Sequence, residues 1–359
     1  MPVDLRTRKL AQIAVNTCVE VKPNQKVVIS GGVEALPFIQ ELYKAVILAK
    51  ANPILKLGLP DVADFFYKYA TKEQIAHFPQ YNLDLAKQVD HWIGIDTDIN
   101  PKELSNSDSE KITARQKVVS PISDYICNNR DKIHRISIAY PVHALAQEAE
   151  MSLTEYENFV YGACLQDWDK LKNFFNKLKS KFKEGSSVHL IGENVDLNFQ
   201  VHGGKVVSDL DTFENMPAGE VFMAPLRESL NGWIKFEYPL TNAPKYIYDV
   251  FLKFKNGKVV EFDASKNKDL LQALLNTDKN SSYVGEFGIG CNPKIMQFTS
   301  NLLFDEKIGG TIHLALGRAY KENGGGNDSA IHIDIVKDMK KAKIIVGGKV
   351  IQENGVWKL

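Results

Sequence analysis

Short apolar runs alternate with segments of helical spacing through the first half of the chain. The runs predict buried strands at 26–31, 53–58, 91–95 and 135–139. Amphipathic spacing predicts helices at 35–51 and around 72–77, 111–118 and 125–129. Strands separated by helices indicate βαβ units. We therefore predict an N-terminal α/β domain with a mainly parallel sheet.

From residue 186 the pattern changes to short alternating segments. Strands are expected at 188–191, 196–201, 206–207, 221–224, 233–236, 248–254 and 259–262. Turn pairs such as Asn256-Gly257 and Gly203-Gly204 separate them, which indicates hairpins and an antiparallel sheet. A helical region at 153–183 precedes this change. The predicted boundary therefore lies near Gly185, with an α/β domain at 1–185 and a mainly β (α+β) domain at 186–359.

Composition and charge narrow the classes of function. Lys+Arg and Asp+Glu balance at 44 each, so we expect no nucleic-acid partner. No apolar run approaches the roughly 20 residues that span a bilayer, so we expect no membrane partner. The first ten residues lack the apolar core of a signal peptide, and the four cysteines lack CxxC spacing. These features predict a cytoplasmic protein.

The segment 330–336 places a histidine and an acid on one face of a predicted strand. His332 and Asp334 alternate with Ile331, Ile333 and Ile335. A period of two puts the isoleucines on the opposite face. An imidazole and a carboxylate side by side can form half of a divalent-metal site. The alternative is a polar strand face with a local hydrogen bond.

Further acids and a histidine stand beside glycines in the same half of the chain. With the strand pair they make a set of six oxygen and nitrogen donors, namely Glu220, Glu286, Glu306, His313, His332 and Asp334. A set without cysteine suits Zn, Mn, Co or Fe in a reactive site better than a closed structural zinc. Four carboxylates in one dry cleft need cations to remain ionised, which a pair of divalent metals would supply.

Four motifs occur in an order that resembles a known family. They are MPAGEVFMAP at 216–225, VGEFGIGCNP at 284–293, FDEKIGGTIHLALGRAY at 304–320 and GGGNDSAIHID at 324–334. This series resembles the aminopeptidase T / aminopeptidase S family of metallo-aminopeptidases. The resemblance covers the C-terminal half strongly and the N-terminal half loosely. It implies an N-terminal α/β domain, a mainly β domain that bears the metals, and a homodimer.

The resemblance also implies a reaction and a set of site residues. Members remove N-terminal amino acids from peptides with two divalent cations, among them Zn, Co, Mn or Mg. The positions that match the family's metal ligands are Glu220, Glu286, His313, His332 and Asp334. Glu306 matches the acid of its DEN-type motif, and Tyr320 matches a tyrosine implicated in catalysis. The chain departs from the commoner pattern in Ile333 and in a longer connection at 307–310, which puts the role of Glu306 in question.

The expected mechanism uses a water that bridges two metals. Glu286 would be the bridging carboxylate, Tyr320 would donate a hydrogen bond, and Glu220 or Glu306 would relay the proton. Tyr320 has the wrong parity for the face of His313, so the strand must bulge or turn near Gly317.

Two alternative functions remain. One is another dinuclear hydrolase, an amidase or a phosphoesterase, and the other is an inactive, metal-free relative that serves as a binding or structural dimer.

Overall fold

The structure is a computed structural model, and it describes residues 4–202, 205–241 and 245–359. Its helices are α1 (Leu5–Ile13), α2 (Leu36–Leu48), α3 (Val62–Tyr69), α4 (Lys72–Ala76), α5 (Gln80–Gln88), α6 (Ser109–Asn128), α7 (His143–Glu148), α8 (Leu153–Cys164), α9 (Trp168–Lys179), α10 (Lys268–Leu275) and α11 (Leu302–Asp305). Its strands are β1 (Lys26–Gly32), β2 (Asn52–Gly58), β3 (His91–Asp96), β4 (His134–Ala139), β5 (Glu184–Gly192), β6 (Val195–His202), β7 (Val207–Ser208), β8 (Asn215–Met216), β9 (Glu220–Met223), β10 (Asn231–Lys235), β11 (Phe251–Lys255), β12 (Lys258–Asp263), β13 (Val284–Gly290), β14 (Thr311–Gly317), β15 (His332–Asp338), β16 (Ala342–Val346), β17 (Lys349–Glu353) and β18 (Val356–Trp357). None of the described helices is long and apolar enough to cross a bilayer.

The N-terminal unit runs to Leu165 and includes Thr212–Pro217. Its sheet has the order β2-β1-β3-β4-β8, and its strand pairs are parallel. Val27, Val28 and Ile29 on β1 are all fully buried, as expected for a parallel strand that helices cover on both faces. The predicted α/β fold with a parallel sheet is confirmed.

The second unit comprises Gln166–Asp211 and Ala218–Leu359. It contains an antiparallel sheet of order β12-β11-β10-β6-β5-β16-β17-β18 and another of order β15-β14-β13-β9-β7. Phe199 on β6 meets Phe287 on β13 edge to face, with ring centroids 5.0 Å apart, so the two sheets share a core. The prediction of a mainly antiparallel β domain is confirmed.

Two local expectations can be compared with the observed chain. Asn256 and Gly257 have φ values of 49° and 78° between β11 and β12, which suits the mirror-image turns of hairpins. The turn expected at Gly203-Gly204 lies outside the described residues.

The helical region expected at 153–183 is two helices that belong to different units. α8 begins at a capping box in which Ser152 and Glu155 bond reciprocally, and α9 begins at Asp167, whose side chain accepts from the backbone N–H of Lys170. The units therefore divide at Leu165, upstream of the boundary near Gly185 that the change in sequence pattern indicated. The difference arises because α9 packs against β9 and, through Phe174, against Trp357 of the β-rich unit.

Candidate metal centre

Three neighbouring strands carry most of the candidate donors on one face. In the register of β13, β14 and β15, Ala315 lies between Glu286 and Asp334. Two strand spacings separate the backbones of the two acids by roughly 9–10 Å. Because the side chain of Ala315 is only a methyl group, the two carboxylates can converge above it.

His313 sits one row further along the same face, and its position depends on Gly288. The register pairs His313 with Gly288, and a Cβ added at Gly288 would lie 1.9 Å from His313 Nε2. The missing side chain therefore lets the imidazole lean over β13. The isoleucines of β15 point to the opposite face, where Ile333 and Ile335 are buried, as the period of two predicted.

Glu220 begins β9 on the far side of β13, and a buried acid fixes its backbone. Asp209 accepts hydrogen bonds from the N–H of Gly219 at 2.6 Å and from the N–H of Glu220 at 3.3 Å. Glu220 Oε2 then lies 3.4 Å from His313 Nε2. The first residue of the strand is thus held against the imidazole by a turn from an earlier part of the chain.

The donor atoms converge at His313. Its Nε2 is 3.6 Å from Glu286 Oε1, and one donor atom each of Glu286, His313 and Asp334 lie within 4.8 Å of one another. All three residues are buried, and the imidazole is fully so. Contacts of 3.4 and 3.6 Å are too long for good hydrogen bonds but suit ligands around a shared cation.

His332 borders this group at the start of β15. Its Nδ1 donates to the carbonyl oxygen of Arg318 at 2.8 Å, because a carbonyl can only accept. In the neutral imidazole Nε2 therefore keeps its lone pair, and Nε2 lies 3.6 Å from Asp334 Oδ2. A backbone acceptor on the other ring nitrogen is the usual support of a histidine that binds metal.

Tyr320 reaches His332 because β14 ends before it. Gly317, the last residue of the strand, has φ of 94°, and the chain turns there. The turn near Gly317 required by the parity of Tyr320 is confirmed. The Tyr320 ring lies 4.8 Å from the His332 ring between centroids and is 41% exposed, so it borders the group from the open side.

Glu306 lies apart from the three converging residues and contacts a lysine. It follows α11, and its carboxylate contacts the ammonium of Lys307, which also lies 3.3 Å from Glu220 Oε1. The loop that follows packs under β13, where the Ile308 carbonyl oxygen would be 2.2 Å from a Cβ at Gly290. The longer connection noted in the sequence is thus a buried part of the centre.

Three residues of the centre were not singled out by the sequence patterns. They are Asp209, Lys307 and Asn323. The Nδ2 of Asn323 donates to Glu286 Oε2 at 3.2 Å, and its Oδ1 is buried with no hydrogen-bond partner in the described ranges of the chain. Lys307 stands inside a recognised motif beside an acid, which was the one available signal. Asp209 and Asn323 approach the centre only in the tertiary structure, so no local sequence pattern indicated them.

The charges of the cluster shift the proton affinities of its members. Burial, followed by the charge of Glu306, raises the pKa of Glu220 well above its usual range. Burial also raises the pKa of Asp209 to about 7, although Lys307 and the backbone donors oppose it. Burial alone would lower the pKa of His313, but Glu286 and the other carboxylates raise it to about 10. A pKa of about 10 favours the protonated imidazole beside these carboxylates.

The donors fit a divalent metal. Both ring nitrogens of His313 and Oδ1 of Asp334 are buried without a hydrogen-bond partner within the described residues. Buried polar atoms nearly always have a partner, and a bound ion is one partner that can satisfy those that lack one. Carboxylates with imidazoles suit Zn, Mn or Co. The thiol of Cys291 donates instead to the carbonyl oxygen of Ile289, and burial raises its pKa.

Solved structures establish the same fold in other proteins. A structure titled wild-type AmpT from Thermus thermophilus superposes with a TM-score of 0.82 at 20% identity and covers 99% of both chains. A 2,5-dihydroxypyridine dioxygenase from Pseudomonas putida superposes with a TM-score of 0.60 at 13% identity and covers 99% of this chain and 98% of its own. Because a dioxygenase has this fold as well, the fold alone does not indicate the reaction, which must be argued from the site.

Sequence relatives are named as aminopeptidases. Aminopeptidase AmpS of Bacillus subtilis is 26% identical over 97% of each chain, and aminopeptidase T of Thermus thermophilus is 34% identical over 33% of each. The profile of the family described as thermophilic metalloprotease (M29) matches residues 3–357. The resemblance to the aminopeptidase T / aminopeptidase S family is thereby confirmed, and the chain belongs to the thermophilic metalloprotease (M29) family of metal-dependent peptide hydrolases.

Proposed function

We propose that this metalloprotease is an aminopeptidase that removes the N-terminal residue of small peptides, and that two divalent metals serve it. The observation that carries the proposal is the convergence of Glu286, His313 and Asp334, where the imidazole is fully buried and has no hydrogen-bond partner among the described residues. Burying carboxylates and an unpaired imidazole together destabilises a folded protein unless a cation binds between them.

The residues proposed as metal ligands are Glu220, Glu286, Glu306, His313, His332 and Asp334. Glu286 is the proposed bridge, since its Oε1 faces His313 while Asn323 holds its Oε2. When bound, two divalent cations lower the pKa of a shared water and stabilise negative charge on the scissile carbonyl. Imidazole ligands favour Zn, Co or Mn over Mg in this set.

The remaining chemistry belongs to side chains of the chain itself. We propose that Glu220 or Glu306 accepts the proton of the attacking water, because Glu220 Oε2 lies 3.4 Å from His313 Nε2 and Glu306 contacts the same buried lysine as Glu220. Tyr320, whose ring lies beside that of His332 at the open side, would donate a hydrogen bond to the oxyanion or the leaving amide. One of the metals or a carboxylate of the centre would bind the free α-amine of a peptide, which would restrict the enzyme to removing one residue at a time.

Metal analysis combined with hydrolysis of aminoacyl anilides tests this proposal. We expect about two bound metals per chain, loss of hydrolysis after chelation, and recovery when Zn, Co or Mn is added back. N-acetylated anilides are the matched substrates, and they should not be cleaved because the free amine is blocked. A fully loaded enzyme that cleaves no member of a broad panel would refute the assignment.

The two alternatives give different results in the same assay. An amidase would cleave the N-acetylated anilides, and a phosphoesterase would cleave a nitrophenyl phosphate. The arginines beside the motifs are engaged elsewhere, Arg227 with Asn280 and the ring of Tyr283, and Arg318 with the carbonyl of Ser329. Because these guanidinium groups already have partners, they do not favour a phosphate-binding pocket. A metal-free structural dimer would bind no metal at all.

We also propose a homodimer in the cytoplasm. Cys18, Cys127 and Cys291 form no disulfide within the described part of the chain, which suits a reducing compartment. In the N-terminal unit β2 is the outer strand of its sheet, and apolar side chains near it are exposed, with Leu59 and Phe65 each at 65%. An apolar edge of this kind favours association. Light scattering of the eluting protein would give twice the chain mass, and a single chain mass at micromolar concentration would refute the dimer.

A further inference from the structure

A lysine lies inside the proposed metal centre and is completely buried. Lys307 Nζ is 3.3 Å from Glu220 Oε1 and also contacts Glu306 Oε1. The lysine side chain has no solvent exposure, and those of Glu220 and Glu306 are 7% and 15% exposed. An ammonium in such a place is a permanent part of the charge balance, because a buried charge needs partners of opposite sign.

The backbone on both sides keeps Lys307 in place. Its N–H donates to the carbonyl of Phe304 at 2.9 Å, and its carbonyl accepts from the N–H of Asn292 at 3.0 Å. The next residue, Ile308, is fully buried and forms a bridge with Asn292. The ammonium therefore cannot leave for solvent unless this packed loop opens.

The ammonium of Lys307 contacts some of the candidate ligands and not others. Glu286, His313 and Asp334 converge with one another, whereas Glu220 and Glu306 are the carboxylates in contact with the ammonium. A divalent cation that uses Glu220 must share its oxygens with Lys307 and lie close to a like charge. Coulomb repulsion at a few ångströms in a dry site is strong, so the two metal positions differ in electrostatic environment.

We propose that Lys307 is a built-in counter-cation that makes the two metal positions unequal. The position formed by Glu286, His313 and Asp334 holds its metal tightly, and the position that uses Glu220 holds a second metal weakly and exchangeably. This inference rests on the proposed function and adds to it the determinant of metal loading. It makes the fraction of chains that carry both metals depend on the free metal concentration.

Titration of the chelator-stripped, full-length protein with Co²⁺ tests the inference through binding and the visible spectrum, independently of activity. In the wild type the first equivalent should bind at least about tenfold more tightly than the second. Lys307→Met keeps the length and removes the charge, so its second equivalent should tighten by about tenfold or more. Lys307→Arg retains the charge and should keep the inequality.

A second buried lysine supplies the matched control. Lys337 is 1% exposed, pairs with Glu237 Oε1 at 2.6 Å and lies on the face of β15 opposite Asp334, so Lys337→Met should leave both Co²⁺ constants unchanged. If Lys307→Met does not fold, Lys307→Gln carries the same expectation. Two equal constants in the wild type, or no tightening in either neutral variant, would overturn the inference alone. No Co²⁺ binding at all would overturn the proposed function with it.

Discussion

Replacing Gly288 by alanine should disable the metal centre while leaving the fold in place. The added Cβ would lie 1.9 Å from His313 Nε2 and 2.1 Å from its Cε1. Non-bonded heavy atoms rest at roughly 3.5 Å or more, so the imidazole must move by about 1.5 Å. His313 is fully buried and has little room to retreat, so its ring leaves the position beside Glu286 and Glu220.

The size of the effect follows from this displacement. Disturbing the support of a metal ligand weakens metal binding by about 10- to 100-fold. That corresponds to roughly 1.4–2.7 kcal/mol. A misplacement of about 1 Å at a reacting centre can cost about 100-fold in rate, so kcat/KM should fall by at least that factor. Overpacking of the strand should lower the free energy of unfolding by about 1–3 kcal/mol.

The assay measures metal affinity by competition with a coloured chelator, kcat/KM on a leucyl anilide, and the thermal midpoint. Gly94→Ala on β3 is the matched control, because its Cβ would meet nothing closer than the carbonyl oxygen of Ile136 at 3.7 Å. That variant should keep metal affinity and kcat/KM within about twofold of the wild type. A folded Gly288→Ala enzyme with wild-type metal affinity and kcat/KM would refute the reasoning and remove His313 from the centre.

Three further outcomes follow from the structure. His332→Ala should abolish anilide hydrolysis and weaken the binding of one metal by about 10- to 100-fold. His189 forms an exposed pair with Asp196, so the control variant His189→Ala should change neither property. Unchanged turnover in His332→Ala would exclude His332 from the site. Asn323→Ala frees Glu286 Oε2 and should weaken metal binding by about tenfold with little change in KM, a pattern that calorimetry and kinetics can contradict separately. Burial lowers the pKa of His91 from 6.5 to about 4, so the unfolded chain binds more protons between these values. The stability contributed by neutral His91 is therefore complete above about pH 6.5 and is lost as the pH falls toward 4; the thermal midpoint should drop over that range, and a His91→Gln variant with an identical drop would show that another group is responsible.

The sequence predicted the individual strands more reliably than their partners. The apolar runs on β1, β3 and β4 fall within a residue or two of the observed strands. The fifth strand of that sheet, β8, arrives from residues 215–216 and pairs with Ser137 and Ile138. A strand of two residues has no periodicity to detect, and its partner lies far away in the sequence, so only the tertiary structure reveals it.

Helix boundaries illustrate another limit of local pattern. Pro121 lies inside α6, a continuous helix of 20 residues, where the sequence suggested two separate helices. Proline disfavours a helix interior, but packing against neighbouring elements can outweigh that local cost. Tertiary packing likewise divides the predicted helical region into α8 and α9, which belong to different units.

By itself the sequence identified the candidate metal ligands and the strand face on which they lie. A period of two placed His332 with Asp334 and His313 with Ala315, because side-chain direction in a strand is a local property. Only the tertiary structure decided that the ammonium of Lys307 contacts the carboxylate of Glu220 and that Asn323 donates a hydrogen bond to Glu286. Those contacts join separate segments through sheet register and loop packing, which no local pattern encodes.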